Sequence, residues 1–459
     1  MRYARYASGF LAMWLVGCGG GADDSGPTTA MDGSMATAGN NSGSGGDSTG
    51  TGAAGSSANG GGTSSGGSAG AGPIGTGSGT GGAGGSTGSG GAGKGGAGGM
   101  GGTAMVGTDA GAVSSKCTTP KGPGLPAGAP ALTPGTWKDI SPPGWPFGAA
   151  FTQGITVDPC NPAVIYLSTS SFDPSQAGLF KTIDAGATWT KLGKLDEPIR
   201  IRIDPKNTQH LYAGDGVRGG TEGFWISNDG GATWAVSKGW AAASKEAGYI
   251  DDVYDVNVDP TDFAHVLVAF HAFGQGDVLE TKDSGDTWIV HKPQGWGNGN
   301  AINFLYRPEL GLGDANTWLI GTQGSGMFRT TDAGANWKKV SDTGIQHGGG
   351  TIYYTKAGVL YATGGDQNQR STDNGVTWTK IGPGGGYNGI IGDGKTLYTA
   401  KCFGPTSMIT SLETDGLTWK DFNAQKFSQG PFELAFDSVN GIVYSGSWGS
   451  GVLALKVTQ

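Results

Sequence analysis

The densest cluster of side chains able to do chemistry is Tyr249-Ile250-Asp251-Asp252-Val253-Tyr254-Asp255. Acids interleaved with phenol rings suit one reaction above others. Two carboxyls flanking a glycosidic bond can cleave it, at a separation of about 5–5.5 Å for retention or roughly 6.5–9.5 Å for inversion. On a strand, alternation sends Asp251, Val253 and Asp255 one way and Asp252 and Tyr254 the other. Asp252 or Asp255 is then one candidate catalytic carboxyl, and its partner must come from elsewhere: Asp196, Asp277 or Glu433. Solvated loop charge is the competing reading of the same residues. Other chemistries find less support. His271 and His347 stand apart and make no metal-binding pattern, and the cysteines are too few for a zinc site. No Ser/His/Asp arrangement is recognisable, and no motif asks for a cofactor.

The elements that must position these residues announce themselves by repetition. A phrase of hydroxyl residue, Asp, Gly and Trp occurs six times, with Asp184, Asp229, Asp283, Asp332, Asp373 and Asp415 followed by Trp189, Trp234, Trp288, Trp337, Trp378 and Trp419. Successive Trp residues are 41 to 54 residues apart, which signals a repeat architecture. Before each phrase come three short runs with period-two alternation, such as Ile155–Val157, Val164–Ser168 and Gly178–Thr182, and a fourth starts at the Trp. Gly, Pro, Asn and Asp separate the runs, which is strand-and-turn chemistry. Four strands per unit predicts an all-β protein built as a β-propeller, and no segment shows a helical period. After the sixth phrase, Phe432–Asp437, Ile442–Gly446 and Gly451–Val457 supply three strands and the chain stops. A lone strand at Trp137 completes that last blade and removes the open edges. The expected count is seven blades, with six as the alternative.

Six regularly placed aspartates invite a catalytic or calcium-binding reading, but a structural role explains them better. Asp can accept N–H bonds across its own turn, Gly supplies a positive φ and Trp packs between sheets. The alternate ligands and distal Glu of a calcium loop are missing. The phrase resembles the Asp-box, or BNR repeat, Ser-x-Asp-x-Gly-x-Thr-Trp; five copies fit well, and the resemblance covers about 135–457. Sialidases, xyloglucan-cleaving endoglucanases, sortilin-type receptors and photosystem II assembly factors carry such boxes. The resemblance implies that the boxes lie between third and fourth strands, on the face away from the ligand site. Function is therefore expected on the opposite rim, in the loops leading into first strands and those joining second to third strands. Those loops hold Trp145, Asp196, Tyr249, Tyr254, His271, Trp296, Tyr387 and Trp448 as candidate ligand-binding residues, beside the candidate catalytic Asp252, Asp255 and Glu433. Flat aromatic faces between carboxylates and amides suit sugar rings, with few convergent polar groups needed.

The chain departs from each enzyme family. Pro198-Ile199-Arg200-Ile201-Arg202-Ile203-Asp204-Pro205 is not the Phe-Arg-Ile-Pro segment of sialidases, and rim arginines are too few for their triad. Asp-Pro-x-Asn-Pro and Gly-Leu-Phe-x-Thr-x-Asp-x-Gly bring it nearer the xyloglucan-cleaving enzymes, which use two propellers facing one cleft; one is found here. The photosystem assembly factors are single propellers without chemistry.

The amino-terminal quarter reads differently. Arg2 and Arg5, the apolar run Phe10–Val16 and Leu15-Val16-Gly17-Cys18 resemble a lipoprotein signal, which implies cleavage before Cys18 and lipidation of its thiol. Residues 18–116 are rich in Gly, Ser, Ala and Thr and cannot offset ordering entropy by burial; a flexible tether with a reach of roughly 50–60 Å is expected. The expected divisions are signal 1–17, tether 18–116, lead-in 117–134 and propeller 135–459. Cys117 and Cys160 are the expected disulfide of an exported protein, with Cys402 left as a buried small hydrophobe. A net charge of −8 and no basic cluster argue against nucleic acid. The sequence thus predicts a lipid-anchored envelope monomer, probing polysaccharide or glycan, or else serving as a scaffold for another envelope protein.

Overall fold

The computed structural model describes residues 124–145, 151–171, 177–215, 223–248, 253–292, 296, 299–345, 350–382 and 384–457. The chain divides into two compact units, Met1–Ala22 with Gly102–Gln459, and Asp23–Gly101; every described residue belongs to the first. Cys18, Cys117, Tyr249, Asp252 and His271 lie outside the described residues.

The described chain forms seven antiparallel four-stranded sheets, and the alternating runs become their strands. Blade 1 comprises Phe151–Val157, Ile165–Ser170, Gly178–Thr182 and Thr190–Leu192. The inner strands of blades 2 to 7 are Pro198–Asp204, Val253–Val258, Gly299–Phe304, Ile352–Tyr354, Tyr387–Gly392 and Pro431–Asp437. Blade 7 takes its outermost strand from the start of the domain: Trp137 pairs with Leu455, Lys138 with Ala454 and Asp139 with Leu453. Seven blades closed by an amino-terminal strand match the expectation, and the six-bladed alternative falls.

The apolar core lies between blades. Ile155, Leu167 and Phe180 of blade 1 pack with Tyr444, Val452 and Ala454 of blade 7, and Tyr166 and Leu179 of blade 1 meet Ile201, Leu211 and Trp225 of blade 2. Inner strands such as Phe151–Val157 and Pro431–Asp437 are buried along nearly their whole length, polar residues included. One helix, Trp240–Glu246, follows blade 2. Its Ala-Ala-Ala core favours helix, but seven residues are too few to show a period. It packs Trp240 against Trp288 and Phe270, at 5.6 and 5.8 Å between ring centroids.

The Asp turns join third to fourth strands. In the first, Thr182 Oγ1 donates to Asp184 Oδ1 at 2.6 Å, while the Thr188 N–H and hydroxyl donate to Oδ1 and Oδ2 at 2.8 and 2.6 Å. Asp229, Asp283, Asp332 and Asp373 repeat this. Two successive residues take positive φ in each, as in Ala185 at 60° and Gly186 at 94°. This is the backbone a two-residue hairpin requires, and it places even Ala185, Ser284 and Ala333 in the left-handed region. The shorter sixth turn keeps one such carboxylate bond, Leu417 N–H to Asp415 at 3.2 Å.

Candidate functional site

The end of the ring away from these turns is organised by a recurrent irregularity. Six of the seven inner strands carry a register shift near their first residues, in blades 1, 2, 3, 4, 6 and 7. Bulges bend a strand and re-aim its side chains, so this belt brings distant residues to the ring axis. Arg200 sits on the blade 2 bulge, 2% exposed and at φ 55°. Its guanidinium donates to Glu433 of blade 7, and its Nε stands 3.6 Å from Asp255 of blade 3.

Both carboxylates are also engaged by neighbouring backbone. Glu433 Oε2 accepts the Ile155 N–H at 2.8 Å, Asp255 Oδ2 accepts the Ile302 N–H at 2.9 Å and Asp255 Oδ1 accepts Arg202 Nη2 at 3.2 Å. Asn257 continues the pattern with the Phe304 N–H at 3.0 Å. Gly154 leaves room for this: a Cβ there would stand 2.9 Å from Glu433 Oε2. Two of the three candidate catalytic carboxyls thus converge on one arginine. Their bonding stitches blades 7, 1, 2, 3 and 4 together. Asp252 lies outside the described residues.

The candidate aromatic residues fall into two groups. Trp296 is buried against Phe328 and Trp337, at 4.6 and 5.0 Å between centroids, Tyr254 is buried on the blade 3 bulge, and Tyr387 is buried enough to push its phenol up to about 12. These three rings are buried in the protein. The second group gathers where blades 6, 7 and 1 meet. Trp448 is 5% exposed and lies between Phe151, stacked at 4.3 Å, and Phe432, at 5.2 Å, with Phe403 edge-on at 5.5 Å. Phe151 and Phe403 form the half-buried outer part of the cluster. Half-buried Trp145 borders the same rim: a Cβ on Gly451 would stand 2.8 Å from its Cδ1. Phe151 and Phe403 escaped the sequence reading; their positions at the rim ends of a first and a second strand are the signal that marks them.

Other rim acids are distributed around the ring. Asp196 is half-buried ahead of blade 2, and buried Glu197 accepts from Ser170 Oγ at 2.5 Å. Asp277 is 2% exposed just before the third strand of blade 3, and burial pushes its carboxyl up. Among the described residues no three His, Cys, Asp or Glu side chains converge on a metal position. Cys160 is disulfide-bonded, and Cys402 is buried against the aromatic cluster.

Known proteins resemble this chain in part. No protein-family model matches it. A xyloglucanase of Hypocrea jecorina is 27% identical over 283 residues, covering 50% of this chain and 32% of that enzyme. A Paenibacillus xyloglucanase is 25% identical over 307 residues, covering 58% of this chain and 26% of that enzyme. The chain therefore spans a third or less of the length of these relatives. Among solved structures, YCF48 bound to a D1 peptide superimposes with a TM-score of 0.50 at 15% identity, covering 74% of this chain and all of YCF48. The chain is an Asp-box-type seven-bladed propeller, distantly related in sequence to xyloglucanases and similar in fold to YCF48.

Proposed function

We propose that this propeller binds a polysaccharide of the β-glucan class on the rim opposite its Asp turns. The observation that carries this reading is the aromatic cluster of Phe151, Phe403 and Trp448, bordered by Trp145. It pairs half-buried ring edges with a rigid base, and rings held this way lose little entropy on stacking against a sugar. Distant sequence relation to xyloglucanases supports the same class of ligand. A hydrolytic role finds one specific support, the buried Asp277. A carboxyl held above its ordinary range by burial is the state a glycosidase acid requires, and Asp252, which directly precedes Val253 in the sequence, is the proposed partner.

A panel of soluble and insoluble polysaccharides, assayed for retention of the full chain and for released reducing ends, tests both readings. Retention without reducing ends supports binding alone. Reducing ends that vanish in Asp252→Asn and Asp277→Asn support hydrolysis. Neither signal refutes both and leaves a protein-binding scaffold. Attachment to an envelope through lipid on Cys18 completes the proposal; mass spectrometry of the amino terminus of protein purified from membranes checks it.

A further inference from the structure

Three loops cross at Gly430, just before the inner strand of blade 7. The Gly430 N–H donates to the Cys402 carbonyl at 2.9 Å, and the Gly430 carbonyl accepts the Trp448 N–H at 2.8 Å. A side chain would prevent this approach: a Cβ on Gly430 would stand 2.0 Å from the Lys401 carbonyl oxygen. The Trp448 carbonyl in turn accepts the Thr152 N–H at 3.3 Å. Phe403, Trp448 and Phe151 each sit at or beside one of these bonds, which is how three separate loops yield one aromatic cluster. Gln429, the residue ahead of Gly430, is set beside them by the same crossing.

The backbone of Gln429 is clamped. The Ser450 hydroxyl accepts the Gln429 N–H at 3.0 Å and donates to the Gln429 carbonyl at 2.9 Å. With its one proton committed there, Ser450 accepts from the Ser428 hydroxyl at 2.7 Å. The Gln429 side chain is half-buried and makes no hydrogen bond among the described residues. It lies over Gly449, where a Cβ would stand 3.4 Å from Nε2 and 3.6 Å from Cδ. The amide is thus held one residue from Trp448 with its donors and acceptor unengaged.

The geometry points to Gln429 as the hydrogen-bonding residue of the aromatic site, selecting an uncharged sugar by a pair of neighbouring hydroxyls. This rests on the polysaccharide reading above. A sugar stacked by its C–H face turns its equatorial hydroxyls to its periphery, where a side chain beside the rings meets them. A primary amide offers a donor and an acceptor side by side, which matches one hydroxyl that accepts and a neighbour that donates. Residues 428–430 and 447–451 contain no titratable side chain, so these segments present amide and hydroxyl groups and no charge. Because the backbone is already fixed, little freedom is lost when the amide engages.

Calorimetry of the full chain with xyloglucan, a mixed-linkage β-glucan and polygalacturonate tests this. The wild type should bind the uncharged glucans more tightly than the polyuronate. Gln429→Ala should weaken that binding about tenfold, as loss of two neutral hydrogen bonds implies. Gln429→Glu should weaken it as much at pH 7, where the carboxylate only accepts, and regain affinity relative to wild type near about pH 4, where a protonated carboxyl again donates. A merely structural role would not produce that recovery. Both variants should keep the wild-type urea midpoint to within about 0.2 M; a larger fall makes Gln429 a structural residue and overturns the assignment. Wild-type binding that Gln429→Ala leaves unchanged also overturns it, while the polysaccharide reading stands. So does a Gln429→Glu profile that runs parallel to wild type across the same pH range. Preference for polygalacturonate, held by exposed Lys401 and Lys426 at the edges of these loops, overturns the choice of an uncharged sugar. No binding of any glycan by the wild type defeats the reading beneath it.

Discussion

Replacing Arg200 should be among the most damaging single changes in the ring, and the geometry gives its size. The side chain is 2% exposed and touches two buried carboxylates, Glu433 and Asp255. Removing one partner of a buried ion pair typically costs about 3–5 kcal/mol, because the remaining charge is stranded. Asp255 also accepts from Arg202 and the Ile302 N–H, and Glu433 from the Ile155 N–H, so both carboxylates stay in place when the Arg200 charge is removed. With a urea slope of about 3 kcal/mol/M, Arg200→Ala should lower the midpoint by roughly 1 to 1.7 M. Two companions dissect the effect. Arg200→Gly should recover about 1 kcal/mol relative to Arg200→Ala, since a left-handed backbone at φ 55° is strained for a side chain but not for glycine. The pair Arg200→Met and Glu433→Gln should be less damaging than Arg200→Met alone by about 2 kcal/mol, because no charge is stranded. A midpoint for Arg200→Ala within about 0.3 M of wild type, or strictly additive costs in the pair, would refute the clamp.

Further predictions concern the turns and the packing. Asp229 and Asp332 are held down to about 2, chiefly by the Thr233 hydroxyl and the Asn336 amide respectively, against 3.8 for a free Asp. Their contribution is therefore complete above that ordinary value and fades as pH falls toward 2; thermal melts from pH 5 to 2 should show a decline that Asp229→Asn and Asp332→Asn flatten. His265 bridges Asp259 and Glu280 at 3.0 and 2.8 Å. Burial opposes its charge, but those two bonds prevail and hold the imidazole above its usual range. Its stabilising share is present at acid pH and lost as pH rises through the raised value, so the stability read from urea melts should fall on alkaline titration in the wild type and not in His265→Ala. Gly321→Ala would set a Cβ 1.8 Å from Ile345 Cγ1, an overpacking expected to cost about 1–3 kcal/mol in urea melts.

The ring was legible because its signals are local. Each Asp turn, each alternating run and the missing fourth strand after Gly451 could be counted on the linear sequence, and the closing role of Trp137 followed from that count. What the sequence hid is long-range. Nothing in Pro198–Pro205 marks Arg200 as a bulge residue, and nothing links it to Glu433, 233 residues away. The aromatic set failed for a related reason. Alternation tells which residues share a face, but Tyr254 sits at a register shift near the first residue of its inner strand and is buried, which alternation does not foretell. Trp448 was found by its loop position, whereas Phe151 and Phe403 gain meaning only once blades 6, 7 and 1 are neighbours.

Calorimetric titration of the full chain with xyloglucan and other β-glucans, in wild type and Phe403→Ala, tests the central claim most directly. Binding in the wild type that weakens about tenfold in Phe403→Ala, as loss of one stacking ring implies, with Asp373→Asn unchanged, is the expected result. No heat with any β-glucan, or equal affinity in Phe403→Ala, contradicts the assignment of a polysaccharide to this rim.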